Sequence, residues 1–311
     1  MKCLILLLMT SVLLAGALQA QAKSKPTVRA QMLVSTDWLA KNLNHPNVVV
    51  IQVGREQKDY FAGHIPKARF LPLNALVITR DNKANELPPI DKLQKLFANL
   101  GVNNDSRVVL YGDNYNLLAA RAYFTLDYLG FGDRAALLDG GLDKWKAEKR
   151  PLSNEVFEIK TGNFTPRVNP NVIAVRDVVR DVSWATANLD APNYALIDAR
   201  PNDEYTGAKA DATLAKVGHI PGAVSIYWMD KNLVSKENPV LKSSKELRQI
   251  YEAAGATKDK KVVSYCRTGV QATHTYFVAK YLGYDVAMYD GSFTEWVTLE
   301  GAPVITGDKA K

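Results

Sequence analysis

Two periods of apolar residues alternate along this chain, and the alternation runs through it twice. Val48 to Val53, Val108 to Tyr111 and Ala135 to Leu138 are short, nearly unbroken apolar runs rich in β-branched residues. Such runs predict strands covered on both faces, because a half-exposed strand would show polar residues at every second position. Between them, Leu93 to Leu100 and Ala119 to Leu129 carry apolar residues at helical spacing. The second half repeats the series with strands predicted at Ala195 to Asp198, Val262 to Tyr265 and Val286 to Tyr289. Its helices are marked by Leu247, Ile250, Tyr251 and Ala254, stopped by Gly255, and by Ala272 to Leu282, stopped by Gly283. Strands alternating with helices imply an α/β fold in which a parallel sheet has helices on both faces.

The two halves also match residue by residue. Gly63-His64-Ile65-Pro66-Lys67-Ala68 answers Gly218-His219-Ile220-Pro221-Gly222-Ala223. Val108 to Tyr111 answers Val262 to Tyr265, Tyr128-Leu129-Gly130-Phe131 answers Tyr281-Leu282-Gly283-Tyr284, and Asp139-Gly140 with Trp145 answers Asp290-Gly291 with Trp296. The four matches keep their order at offsets of 151 to 155, which chance does not produce. Two tandem domains of one fold are therefore expected, at residues 28–150 and 173–306. The proline-bearing stretch 151–172, with Pro151, Pro166 and Pro170, is the expected connector, and Gly307 to Lys311 is an expected frayed end.

The first 22 residues break the pattern. Met1-Lys2 is followed by an apolar run from Cys3 to Leu18 and then by Ala20-Gln21-Ala22. This order predicts a secretory signal peptide over residues 1–22, cleaved after Ala22 or Ala20. The run is shorter than the ~20 residues of a spanning helix, and no later stretch approaches that length. The expected product is an exported protein, periplasmic or secreted, that is soluble once the leader is gone.

Removal of the leader leaves roughly 290 residues, enough for two cores. The net charge of +7 falls to +6 with the loss of Lys2, and the bases are scattered in blocks no longer than two. A mild positive field suits small anions and gives no footprint for nucleic acid. No cluster of Cys, His and Asp at ligand spacing predicts a metal, and nothing predicts a cofactor. The mature chain keeps a single thiol, Cys266, so an internal disulfide is excluded.

Cys266 follows the strand Val262 to Tyr265 and precedes a helix, the place where open α/β sheets bind ligands. The connecting Cys266-Arg267-Thr268-Gly269-Val270-Gln271 leads into a helix N-terminus, where successive backbone N–H groups converge on an anion. A helix terminus contributes only ~0.3–1 kcal/mol, or up to ~2 in good geometry, which lowers a thiol by about one pKa unit. Full ionisation then requires direct N–H bonds and the Arg267 charge. His274, eight residues on, is expected on the helix surface and not as a general base, because a thiolate needs none.

With Asp198-Ala199-Arg200, Glu204-Tyr205, the Gly218 to Ala223 stretch, Cys266 to Val270, and Asp290-Gly291-Ser292-Phe293 with Trp296, the mature chain resembles the tandem-domain rhodanese family. That family includes thiosulfate and 3-mercaptopyruvate sulfurtransferases. The resemblance implies two rhodanese-like domains with catalysis in the C-terminal one. The first copy has Gly112-Asp113-Asn114-Tyr115-Asn116 in place of the cysteine loop, so it cannot form a persulfide. Carried over, Cys266 takes a sulfane sulfur from a small anionic donor and gives it to a thiol or cyanide. Backbone N–H groups of Arg267, Thr268, Gly269, Val270 and Gln271 hold its charge, and the Arg267 guanidinium faces the donor. Asp198 and Arg200 support the loop as a buried ion pair, and His64 and His219 are structural. Arg267 after the cysteine points to thiosulfate as donor. Thr268 and Gln271 depart from the thiosulfate pattern, and 3-mercaptopyruvate is the alternative.

Cysteine phosphatases need an arginine six residues after the nucleophile, and Ala272 stands there instead. A persulfide carrier that does not turn over would use the same loop. An inert structural cysteine conflicts with a charged neighbour at Arg267, since an unpaired buried charge is costly.

Overall fold

The computed structural model describes residues 26–175, 177–181, 193–209 and 211–310. The expected leader, residues 1–22, lies outside the described residues, and none of the described helices is long and apolar enough to cross a membrane.

Among the described residues, twelve strands form two five-stranded parallel sheets and one hairpin. In the first sheet, β1 (Leu33–Val34), β7 (Ala135–Leu138), β6 (Arg107–Gly112), β2 (Val48–Gly54) and β3 (Arg69–Pro72) lie side by side in that order. In the second, β8 (Ile173–Ala174), β12 (Asp285–Tyr289), β11 (Lys261–Tyr265), β9 (Tyr194–Asp198) and β10 (Ala223–Ser225) repeat the same order. The antiparallel hairpin of β4 (Ile78–Arg80) and β5 (Lys83–Glu86) in the first half is answered, among the described residues of the second, by a single antiparallel bridge between Leu233 and Leu241. The central strands are buried almost throughout, as their unbroken apolar runs require. The four shortest edge strands escape a periodicity reading, because two to four residues carry no period.

Duplication is visible in the smallest details. His64 stacks on Tyr60 at 3.8 Å and His219 on Tyr205 at 3.7 Å. The ring nitrogens of each face two backbone carbonyls, those of Tyr60 and Glu155 and those of Tyr205 and Lys309. Each histidine thus fastens the chain that leaves its domain. The indole N–H groups of Trp145 and Trp296 likewise donate to the carbonyls of Pro151 and Pro303.

The domains meet through equivalent helices. In the helix Leu117–Tyr128 every residue from Leu117 to Asp127 is buried, and in Ala272–Tyr281 every residue from Ala272 to Ala279 is. Helices apolar on all sides need cover on all sides, and here the other domain provides it. Tyr123 meets Phe277 edge-on at 4.8 Å, and Phe124 meets Tyr276 at 5.1 Å, contacts of ~0.5–1.5 kcal/mol each beyond their buried area. Asp127 accepts from both the Tyr276 hydroxyl and Lys280 across the same boundary.

Candidate active site at Cys266

Cys266 leaves the C-terminal end of β11, and the turn after it ends at the helix Ala272–Tyr281. Its side chain lies in the interior, with the residue 1% exposed. The Gly269 N–H donates to Sγ at 3.1 Å. The backbone N–H groups of Ala272, Thr268 and Gln271 also favour the thiolate. Three of the expected amides therefore act on it, and Ala272 joins them as the first residue of the helix. Gly269 makes the turn possible: its φ is +86°, and a Cβ there would stand 2.9 Å from the Asp290 carbonyl oxygen.

The loop is fastened from behind. The Cys266 N–H donates to the Ser292 hydroxyl at 3.3 Å, which in turn donates to the Tyr289 carbonyl at 2.9 Å. Phe293 N–H donates to the Cys266 carbonyl, and Thr294 donates to that of Arg267 through both its amide and its hydroxyl. The Asp290 to Phe293 stretch is thus the frame of the loop. Beneath it, Arg200 and Asp198 form a fully buried pair, with Nε 3.0 Å from both carboxylate oxygens and Nη2 2.5 Å from Oδ2. The guanidinium also donates to the Gly218 carbonyl and lies 4.0 Å over the Phe293 ring. Burial works against that charge, and the Asp198 carboxylate more than restores it.

Three expectations need correction. Burial, the largest influence on Cys266, pushes its thiol above the usual range, and the four amides pull it back only in part. The anticipated help from Arg267 is absent because its guanidinium is turned to carboxylates, pairing with Glu204 at 3.0 Å and with Asp211. Hydrogen bonds from Thr213 and the Arg267 charge hold the Asp211 carboxyl below its ordinary value. His274 is buried and not on a surface: it packs 5.1 Å from the Trp228 ring, with Asn232 at 3.2 Å from Nδ1. Burial pushes it down to about 3, so it is neutral and offers no titrating base near neutral pH.

Other site residues take separate roles. The Thr268 hydroxyl accepts from Asn85 of the first domain at 2.9 Å, and Val270 packs against the apolar cores. Arg121, Asn85, Asp211, Ala272 and Ser292 had no role assigned from sequence. Only Ser292 carried a signal, as part of the second copy's closing stretch. A cavity of about 640 Å³ at the domain junction is lined by Lys83, Glu86, Asp290, Gly291 and Glu295 among others, and Cys266 is not on its wall.

In the first domain the loop after β6 has no sulfur to hold. Asn114, Tyr115 and Asn116 have φ of 54°, 55° and 67°. Asn116 closes the turn itself, accepting from Gly112 N–H and donating to the Leu138 carbonyl.

The model of the rhodanese-like domain matches residues 35–148 and 181–299. This chain belongs to the rhodanese family. It is 38% identical over 293 residues to the sulfur carrier protein TtuD of Thermus thermophilus, covering 90% of this chain and 98% of that one. It is 36% identical to a Mycolicibacterium smegmatis protein provisionally named a thiosulfate sulfurtransferase, covering 90% and 99%. Among solved structures it is similar to the 3-mercaptopyruvate sulfotransferase SseA of Escherichia coli. The TM-score is 0.72 at 28% identity, covering 84% of this chain and 98% of SseA. The rhodanese domain is thus present twice, with the cysteine in the second copy alone.

Proposed function

We propose that this rhodanese is a thiosulfate sulfurtransferase working through a persulfide on Cys266. The observation that carries the proposal is a sulfur at a helix N-terminus that accepts from the Gly269 amide, with the amides of Ala272, Thr268 and Gln271 also favouring its anion. In the first half-reaction the Cys266 thiolate attacks the outer sulfur of thiosulfate. An S–S bond forms to Sγ, the S–S bond of thiosulfate breaks, and its electron pair leaves with sulfite. In the second, a thiol or cyanide attacks the outer sulfur of the persulfide and the Cys266 thiolate departs. No external oxidant or reductant enters, and the same amides stabilise sulfur anions at each stage.

Arg267 offers a cation for the donor anion once it is released from Glu204 and Asp211. The Asp198–Arg200 pair supports the loop through Phe293. The leader expected over residues 1–22 supports a location outside the cytoplasm for this activity.

Steady-state thiocyanate formation from thiosulfate and cyanide tests the proposal. Continuous turnover that exceeds the rate with 3-mercaptopyruvate, and is lost in Cys266→Ser, is the expected result. The likeness to a sulfur carrier supports a second reading, in which the chain holds the persulfide for a partner. A single stoichiometric burst followed by a stall would establish that reading and overturn the enzymatic one.

A further inference from the structure

The first domain lacks a nucleophile, yet it reaches the cysteine loop with a charge. Arg121 lies in the middle of the helix Leu117–Tyr128 and is 0% exposed. Its Nη1 pairs with Asp290 Oδ1 at 3.2 Å and lies 3.5 Å from the carbonyl oxygen of Gly269. Its Nη2 donates to the Asn85 carbonyl at 2.5 Å, and the Asn85 side chain donates to Thr268. Arg121 Nε, also buried, has no hydrogen-bond partner among the described residues. A buried guanidinium with one carboxylate and an unmet donor is a poor source of stability compared with an apolar contact. Its partners show a different use.

We propose that Arg121 is a positioning residue for sulfur transfer, acting from the first domain to hold the amide cradle of the second in its sulfur-binding form. The proposal rests on the reading of Cys266 as the sulfur carrier. Gly269 is the one point in the loop where the peptide can turn over freely, because glycine tolerates either sign of φ. Turning the 269–270 peptide would draw the Gly269 carbonyl away from Arg121 and shift the adjoining loop, including the Gly269 and Gln271 amides that act on the sulfur. The Arg121 cation holds that carbonyl in place. Through Asp290 it also anchors the stretch that leads to Ser292, whose hydroxyl holds the Cys266 N–H. Both ends of the turn thus depend on one side chain from the other domain.

The test is the pH profile of Cys266 alkylation by iodoacetamide, measured on the full chain together with kcat and KM. Two forms would be compared with the parent: Arg121→Lys, and the charge-neutral pair Arg121→Met with Asp290→Asn, which leaves no orphaned carboxylate. In the neutral pair the profile moves to higher pH by about one unit, and kcat falls roughly tenfold while KM changes little. Arg121→Lys, which keeps the charge and loses the fork, lies between. A folded neutral pair with the parent's profile would overturn the proposal. So would a neutral pair that fails to fold beside an Arg121→Lys form with parental profile and kcat, since Arg121 would then serve stability alone. Alkylation needs no donor, so an error in the thiosulfate assignment would leave this result standing.

Discussion

Cys266 sits between two opposed influences, and their balance decides how its thiol behaves at rest. Four amides favour the anion, while complete burial favours the neutral thiol and prevails. The sign follows directly: a raised thiol stays protonated through neutral pH and becomes nucleophilic only as the pH climbs past its displaced midpoint. Iodoacetamide labelling is therefore expected to be slow in mildly acidic buffer and to rise toward a midpoint above the ~8.5 of a free thiol. A plateau already reached in mildly acidic buffer would show that the amides outweigh burial. The cysteine and its flanking residues were legible in the sequence. The direction of the shift was not, because burial depends on the assembled fold around the loop, which no local motif reports. Arg267 illustrates the same limit: its partner Asp211 lies 56 positions away.

At the level of elements, the loop between β11 and the following helix carries the chemistry, and its shape rests on one glycine. Gly269→Ala adds a Cβ against the Asp290 carbonyl at a φ that costs a non-glycine residue ~1–2 kcal/mol. Transfer from thiosulfate is expected to fall at least tenfold, equivalent to ~1.4 kcal/mol, while far-ultraviolet circular dichroism stays that of the parent. Unaltered kinetics in that variant would mean that the loop tolerates another path. The long strands and helices could be read from periodicity because each spans enough residues to show one. The hairpin Ile78–Arg80 and Lys83–Glu86 could not, since strands of three and four largely polar residues show no apolar period. His274 was misplaced for a related reason. Helical spacing identifies a face but cannot tell solvent from a second domain, and the helix proved to be covered from Ala272 to Ala279.

Over the whole molecule, duplication explains both what is symmetric and what is not. The sheets, the histidine clasps and the tryptophan anchors are shared, and they could be anticipated from matched residues alone. Function lies in the departures: a cysteine in one loop, an asparagine closing the other, and a buried arginine that crosses from the silent copy to the active one. The repeat gave no warning of that arginine, because a charge inside an apolar helix acquires meaning only when the partner helix is in place. These features converge on a single sulfur atom as the point of transfer. Mass spectrometry of the full-length protein after incubation with thiosulfate tests this most directly. The account predicts one added sulfur atom on the peptide containing Cys266, removed again by cyanide. An unmodified Cys266 peptide in a folded protein exposed to excess thiosulfate would contradict it.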